Sequence, residues 1–198
     1  MDPELLPVVI GAISGGIIST IGWYVSYFLS KKKEYELQKR KSILNQYERQ
    51  LEELYGPLLG LIRNSRYVFE VSKKLLPYEL GKGYLFENFT EQDFKINAYF
   101  TENYFLPNNF KIANLLHTKV ALMGTDKMPE SFAEFLQHQA EYECSYQVSK
   151  LVNSSPKAYI DHIDQVWPDK FEKDVEILLM NAEKKYNEYL KKFRGKLK

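Results

Sequence analysis

The sequence predicts an all-α protein with one amino-terminal transmembrane helix followed by a cytoplasmic bundle of about six helices. The first observation behind this prediction is the stretch from Leu5 to Ser30, which contains no charged residue. The second is that the later segments space their apolar residues as on one helical face, with Pro and Gly between segments. The third is that no stretch alternates convincingly between apolar and polar residues, as a half-buried strand would. We divide the 198 residues into an anchor (1–30), a juxtamembrane basic helix (31–55) and a cytoplasmic all-helical domain (56–198).

The anchor is long enough to cross a membrane. Leu5 to Leu29 is 25 residues, and a helix of that length reaches roughly 37 Å, against about 30 Å for the hydrocarbon core of a bilayer. A cleaved signal peptide is the alternative, but it would carry positive charge before its apolar run. Here MDPE precedes the run and KKK follows it, so we expect an uncleaved single-pass anchor.

The charge distribution predicts the orientation of that anchor. All 27 Lys and Arg residues lie after Ser30, and the flank richer in Lys and Arg normally stays in the cytoplasm. We therefore expect the amino terminus outside and the carboxyl-terminal domain in the cytoplasm, in the inner membrane of a bacterium whose genome is AT-rich, as the many Tyr, Phe, Lys and Asn residues suggest. The predicted residues of the cytoplasmic membrane interface are the aromatic Trp23, Tyr24, Tyr27 and Phe28 and the basic Lys31, Lys32 and Lys33.

Small residues recur along one stripe of the anchor. They are Gly11, Ala12, Gly15, Ser19, Gly22 and Ser26, and Gly11 with Gly15 forms a GxxxG pattern. Small side chains let two helix backbones approach closely, which drives association in lipid. The stripe predicts a homo-oligomer, and closed rings of its spanning helices could enclose a pore. Small residues are also common in helices that span alone.

Helix boundaries in the remaining chain are predicted from Pro, Gly and capping residues. Gly56-Pro57 is expected to kink or interrupt the first helix, and Pro107-Asn108-Asn109 to separate two later ones. Pro77 to Phe89 is expected to be the longest and most mobile loop, with a flexible turn at Gly81-Lys82-Gly83. The predicted later starts are Thr90, with Asp93 in a capping-box pattern, then Pro129 for a helix to about Val152, Pro156, and Asp169 for a helix to Phe193.

No enzymatic motif is evident, so the sequence predicts a protein that is not an enzyme, with no cofactor, no metal and no small-molecule substrate. Cys144 is expected to be a buried structural thiol. The weak catalytic candidates are Lys157 and His162 in KAYIDH, the nearest match to the Arg-x4–6-His motif of helical HEPN-superfamily endoribonucleases. Lysine cannot reproduce the planar donor fork of arginine, which leaves a degenerate, non-cleaving HEPN-like module as one interpretation.

A basic segment closes the chain. Lys184 to Lys198 holds seven Lys or Arg residues against the single acid Glu188. Such a segment can attract anionic lipid headgroups or an RNA backbone, or it can be no more than the solvated end of a helix.

The segments LLPVVIGAISGGIISTIGWYVSYFLSKKK and KAYIDH, on an all-helical chain of this size, make the protein resemble the small membrane accessory protein of type VI-B CRISPR systems. The resemblance covers the whole chain at the level of architecture. It implies a symmetric oligomer that forms a membrane pore, works beside an RNA-guided nuclease and supports antiviral defence by permeabilising the membrane. Two alternatives stay open: a membrane-anchored docking module for a soluble protein or RNA, and an HEPN-like ribonuclease.

Overall fold

The structure is a computed structural model that describes residues 5–124, 127–152 and 167–195; the side chains of residues 5–18, 194 and 195 are outside that description. The chain forms two compact units. The first unit comprises Met1–Asn45 and Tyr189–Lys198, and the second comprises Gln46–Glu188.

The described residues are mostly helical, which confirms the predicted all-α class. The α-helices are α1 (Leu5–Arg49), α2 (Gly56–Leu75), α3 (Glu91–Phe100), α4 (Leu106–Thr118), α5 (Glu130–Leu151) and α6 (Phe171–Gly195). Thr90 caps α3 as predicted, since its side chain accepts from the Asp93 amide and the Asp93 carboxylate accepts from the Thr90 amide. The predicted helix at Pro156 lies outside the described residues.

The chain stays helical through both Pro57 and Pro107, so the predicted break at each proline is wrong, whereas the kink at Gly56-Pro57 stays a prediction. A π-helical segment precedes each proline, Gln50–Tyr55 in one case and Thr101–Phe105 in the other. In the first, the Gly56 amide donates to the carbonyl of Leu51, five residues earlier. A π turn holds one extra residue, which moves the proline ring off the carbonyl that it would meet in a regular α-helix.

The segment between α2 and α3, predicted as the longest loop, contains short regular structure. Strands β1 (Tyr78–Glu79) and β2 (Gly83–Tyr84) pair antiparallel, with Tyr78 opposite Tyr84. A 3-10 turn follows at Phe86–Asn88. The predicted turn at Gly81-Lys82-Gly83 connects the strands, and both glycines adopt positive φ, 87° and 85°, a conformation that other residues rarely take.

The core of the second unit lies between α2, α4, α5 and α6, and the π segment before α2 contributes to it. Its fully buried side chains include Leu54, Tyr55, Leu58, Ile62, Ile112, Leu116, Phe132, Phe135, Phe171 and Val175. Phe135 stacks on Phe171 with ring centroids 4.7 Å apart, so that α5 and the start of α6 share an aromatic contact.

Helix α1 exposes the described part of its apolar sequence, and every described residue from Ser19 to Leu29 is exposed. Among the residues whose side chains the structure describes, which begin at Ser19 in α1, none of the helices combines the length and apolar character that crossing a membrane requires.

Candidate functional site

The second unit contains a cavity of about 640 Å³ between α2, the β-hairpin, α4, α5 and the start of α6. That volume is within the range of small-molecule sites in proteins. Its aromatic lining residues are Phe69, Tyr78, Tyr84, Phe105, His138, Tyr142 and Trp167, and its polar and charged ones include Ser65, Arg66, Glu70, Asn109, Asp169 and Glu172.

One wall of the cavity is an aromatic triad formed by Phe69 of α2 with Tyr78 and Tyr84 of the hairpin. The three ring centroids are 5.7–5.8 Å apart and the rings are nearly perpendicular, the edge-to-face arrangement that aromatic side chains favour. The hairpin register places the two tyrosines opposite each other, so both side chains project on the same side. The Tyr84 hydroxyl also contacts that of Ser72, and burial raises the pKa of Tyr84 to about 12.

The second wall comes from α5 and from Trp167. His138 and Tyr142 lie one helical turn apart and stack, with centroids 5.9 Å apart and planes at 21°. Trp167 meets the His138 ring edge to face, also at 5.9 Å. The Tyr142 hydroxyl and Oγ1 of Thr101, 3.0 Å apart, form a hydrogen bond that connects this wall to the π segment before α4.

Among the described residues, the charged side chains that line the cavity are one base and three acids. Arg66 pairs with Glu172, whose side chain is only 10% exposed, and Nε of Arg63 approaches the same carboxylate at 3.6 Å. Glu70 accepts from Lys73 at 2.6 Å. Asp169 is exposed, and no ion pair joins it to any described residue. Asp169 is therefore the one carboxylate among these three that has no cationic partner among the described residues.

The sequence-predicted association residues lie along α1, outside this cavity. Gly11, Ala12 and Gly15 lie in the part of α1 whose side chains are not described, whereas Ser19, Gly22 and Ser26 are exposed. A Cβ added at Gly22 would meet no atom within 4 Å, so the chain itself leaves open space there.

The predicted membrane-interface residues are exposed and contact one another along α1. Trp23, Tyr24 and Tyr27 are 68%, 59% and 47% exposed. Trp23 stacks on Tyr27 at 5.8 Å, and the Lys31 ammonium lies 5.9 Å from the Tyr27 ring centroid. Lys32 and Lys33 are exposed beside them.

The predicted burial of Cys144 is wrong, because this thiol is exposed. Its place in a helix between Tyr142 and Tyr146 suggested a structural position, but α5 presents Phe132, Phe135 and Tyr146 to the core and turns position 144 outward. Lys157 and His162 lie outside the described residues. Within the described ranges, no group of three or more His, Cys, Asp or Glu residues is placed to hold a metal ion.

Sequence reasoning did not find the cavity. Its residues come from positions as far apart as Ile62 and Glu172, and no short motif joins them. The one local indication is the density of aromatic residues between Phe69 and Phe89, which includes the whole triad.

Comparisons with protein-family models, with curated proteins and with solved structures found no match to this chain.

Proposed function

We propose that the protein is a membrane-anchored, self-associating helical protein, held in the bilayer by the uncharged segment from Leu5 to Ser30. The observation that carries the proposal is the exposure of large apolar side chains on every side of α1. They are Ile21, Trp23, Tyr24, Val25, Tyr27, Phe28 and Leu29, all between 47% and 68% exposed.

The arrangement of these side chains favours lipid over a protein partner. Successive helical residues are about 100° apart, so seven apolar residues within nine positions point in all directions around the axis. A single docked protein would cover one face and leave the others in water, whereas a bilayer surrounds the helix. The sequence continues the uncharged run back to Leu5, and Lys31 to Lys33 follow it, a charged end suited to phosphate headgroups.

The charge difference between the two units also supports membrane attachment. The first unit holds eleven Lys or Arg and four Asp or Glu residues, a net charge of +7. The second holds sixteen bases and twenty-two acids, a net charge of −6. Basic groups next to an apolar helix gain from the negative potential of an anionic leaflet, and an acidic unit is repelled by it.

Self-association through the small-residue stripe is the second part of the proposal. The open space around Gly22 means that a larger side chain there would not clash within the chain. A closed ring of such helices could enclose a pore, and permeabilisation in antiviral defence, beside an RNA-guided nuclease, is the role that the resemblance to the type VI-B accessory proteins supports.

Alkaline carbonate extraction of cell membranes tests the anchor. We expect the full chain to stay in the membrane pellet, and the double variant Ile21→Lys/Val25→Lys to be released, because charged groups are costly in hydrocarbon. Leu37→Lys, farther along α1, is the matched control and should stay in the pellet. Release of the unaltered chain by carbonate would contradict the anchor.

Chemical labelling of the single cysteine, Cys144, tests the orientation of the protein in the membrane. Cys144 is exposed, so a membrane-impermeant maleimide should label it in lysed cells but not in intact spheroplasts if the second unit is cytoplasmic. Labelling in intact spheroplasts would reverse the proposed orientation.

Mass measurement of the protein in nanodiscs tests self-association. Gly15→Ile and Gly22→Ile should each lower the oligomer mass, because the larger side chain separates the helices. Gly60→Ile is the control, since Gly60 also has no atom within 4 Å of an added Cβ but lies outside the stripe. Ion flux from liposomes then tests the pore, and an oligomer that never conducts would refute that part.

A docking module is the second candidate function, and an exposed apolar stripe on α2 favours it. Tyr67, Val71 and Leu75 follow each other at helical spacing and are 69%, 49% and 55% exposed. Capture of a soluble protein or RNA by the anchored chain, lost in Val71→Glu, tests this function. The ribonuclease alternative depends on Lys157 and His162, and its test is loss of RNA cleavage in His162→Ala.

A further inference from the structure

We propose that the cavity of the second unit binds a small organic cation, an alkyl- or quaternary ammonium group carried on an apolar body. The proposal is independent of the membrane anchor, since every residue that lines the cavity belongs to the second unit. It rests on the aromatic walls, on the carboxylate of Asp169 and on an ammonium group that the same rings already contact.

The charges of the cavity favour a cation over an anion. Arg66, the one Lys or Arg among the described residues that line the cavity, is already paired with the largely buried carboxylate of Glu172. A phosphate or carboxylate ligand would have to compete with Glu172 for that guanidinium. Asp169, by contrast, has no ion pair with the described residues and can face an incoming positive charge.

The aromatic walls of the cavity also favour a cationic ligand. Aromatic faces carry negative electrostatic potential, and cages of several rings are a common way to bind quaternary ammonium groups. The triad of Phe69, Tyr78 and Tyr84 forms one side of the cavity, and the His138–Tyr142 stack with Trp167 forms another. An alkylammonium ligand would place its methyl groups against both.

The ammonium group of Lys73 already contacts two of these rings. Nζ of Lys73 lies 5.1 Å from the Phe69 centroid and 5.0 Å from the Tyr78 centroid, both within cation–π range. Lys73 does not line the cavity. The rings are therefore oriented to attract positive charge, while the interior that they border is open to a ligand.

Choline and its neutral carbon isostere, 3,3-dimethyl-1-butanol, are the probes, used with the full chain in dodecyl maltoside micelles. The sequence contains two tryptophans, so Trp23→Phe makes Trp167 the only tryptophan reporter. We expect choline to change Trp167 fluorescence saturably and the isostere to bind at least about tenfold more weakly, since it lacks the charge on which the cation–π attraction depends.

Two variants test the aromatic wall and the carboxylate of the cavity separately. Tyr78→Leu should weaken choline binding about five- to thirtyfold by removing one aromatic face, and Asp169→Asn should weaken it severalfold and reduce its salt dependence. The matched controls are Tyr99→Leu and Glu134→Gln, which are exposed and do not line the cavity; both should bind choline normally. Unchanged circular dichroism confirms folding of each variant.

The source of the ammonium group is distinguished in nanodiscs. If phosphatidylcholine discs suppress choline binding and phosphatidylglycerol discs do not, a lipid headgroup occupies the cavity; equal binding in both points to a soluble amine. Equal affinity for choline and the isostere, binding of sulfate in place of choline, or no saturable change in the folded protein would overturn the proposal.

Discussion

The Tyr55 hydroxyl donates a hydrogen bond to the backbone carbonyl of Met123, and this contact joins the end of the first π segment to the chain just after α4. Tyr55 is 1% exposed, and burial raises the pKa of its phenol to about 12. The π segment is thus fixed by tertiary structure as well as by its own backbone hydrogen bonds.

Tyr55→Phe should destabilise the fold by about 1–3 kcal/mol, because the variant leaves a buried carbonyl without its donor. Urea unfolding of the full chain in detergent, followed by circular dichroism, measures the difference. Tyr67→Phe is the control, since Tyr67 lies exposed on α2 and should leave the unfolding midpoint unchanged. Equal stability of Tyr55→Phe and the unaltered chain would show that the hydroxyl contributes nothing.

Gly56→Ala and Gly60→Ala should shift stability in opposite directions. A Cβ at Gly56 would lie 2.7 Å from the carbonyl oxygen of Leu51, a backbone atom that the π geometry holds in place. We therefore expect Gly56→Ala to lower the free energy of unfolding by about 1–3 kcal/mol. A Cβ at Gly60 would meet nothing within 4 Å, so alanine should stabilise that helix by about 0.5–1 kcal/mol. Thermal unfolding compares the stability of the two variants. Higher stability in both would contradict the close contact of a Cβ at position 56 with the Leu51 carbonyl.

Glu53 should make stability depend on pH in the acid range. Hydrogen bonds from Arg49 and then from Lys119, at 2.8 and 2.7 Å, lower the pKa of its carboxyl from 4.5 to about 2. The depressed pKa means that the ionised form stabilises the fold. Its contribution is complete above pH 4.5 and is lost as the pH falls towards 2.

Glu53→Gln should therefore melt at a lower temperature than the unaltered chain at pH 7, and this difference should shrink at pH 2. Glu48→Gln, exposed at the end of α1 five residues before Glu53, is the control that should show no such convergence. A difference that stays constant between pH 7 and pH 2 would rule out the carboxylate as its cause.

Thr90→Ala should lower the free energy of unfolding by about 1 kcal/mol, because the α3 capping box loses the hydroxyl that accepts from the Asp93 amide at 3.2 Å. Thr90→Ser keeps the hydroxyl and should restore most of the stability. Hydrogen exchange at the Asp93 amide reports the cap directly, and unaltered exchange in the alanine variant would contradict its role.

The sequence by itself determined the helical class, the capping box at Thr90, the turn at Gly81–Gly83 and the uncharged run that ends before Lys31. Each of these depends on groups within a few residues of one another, so local hydrogen bonding and apolar spacing suffice to predict them.

Only the tertiary structure decided how the chain passes Pro57 and Pro107, which way Cys144 faces, and where the cavity lies. A proline removes one hydrogen-bond donor whether the helix breaks there or widens into a π turn, so the proline alone does not decide between the two. The Tyr55–Met123 hydrogen bond is one tertiary contact that holds the π turn in place. The cavity unites Phe69, Tyr84, His138 and Glu172 from four separate parts of the chain. Such a site follows from helix packing over long sequence separations, which local spacing does not encode.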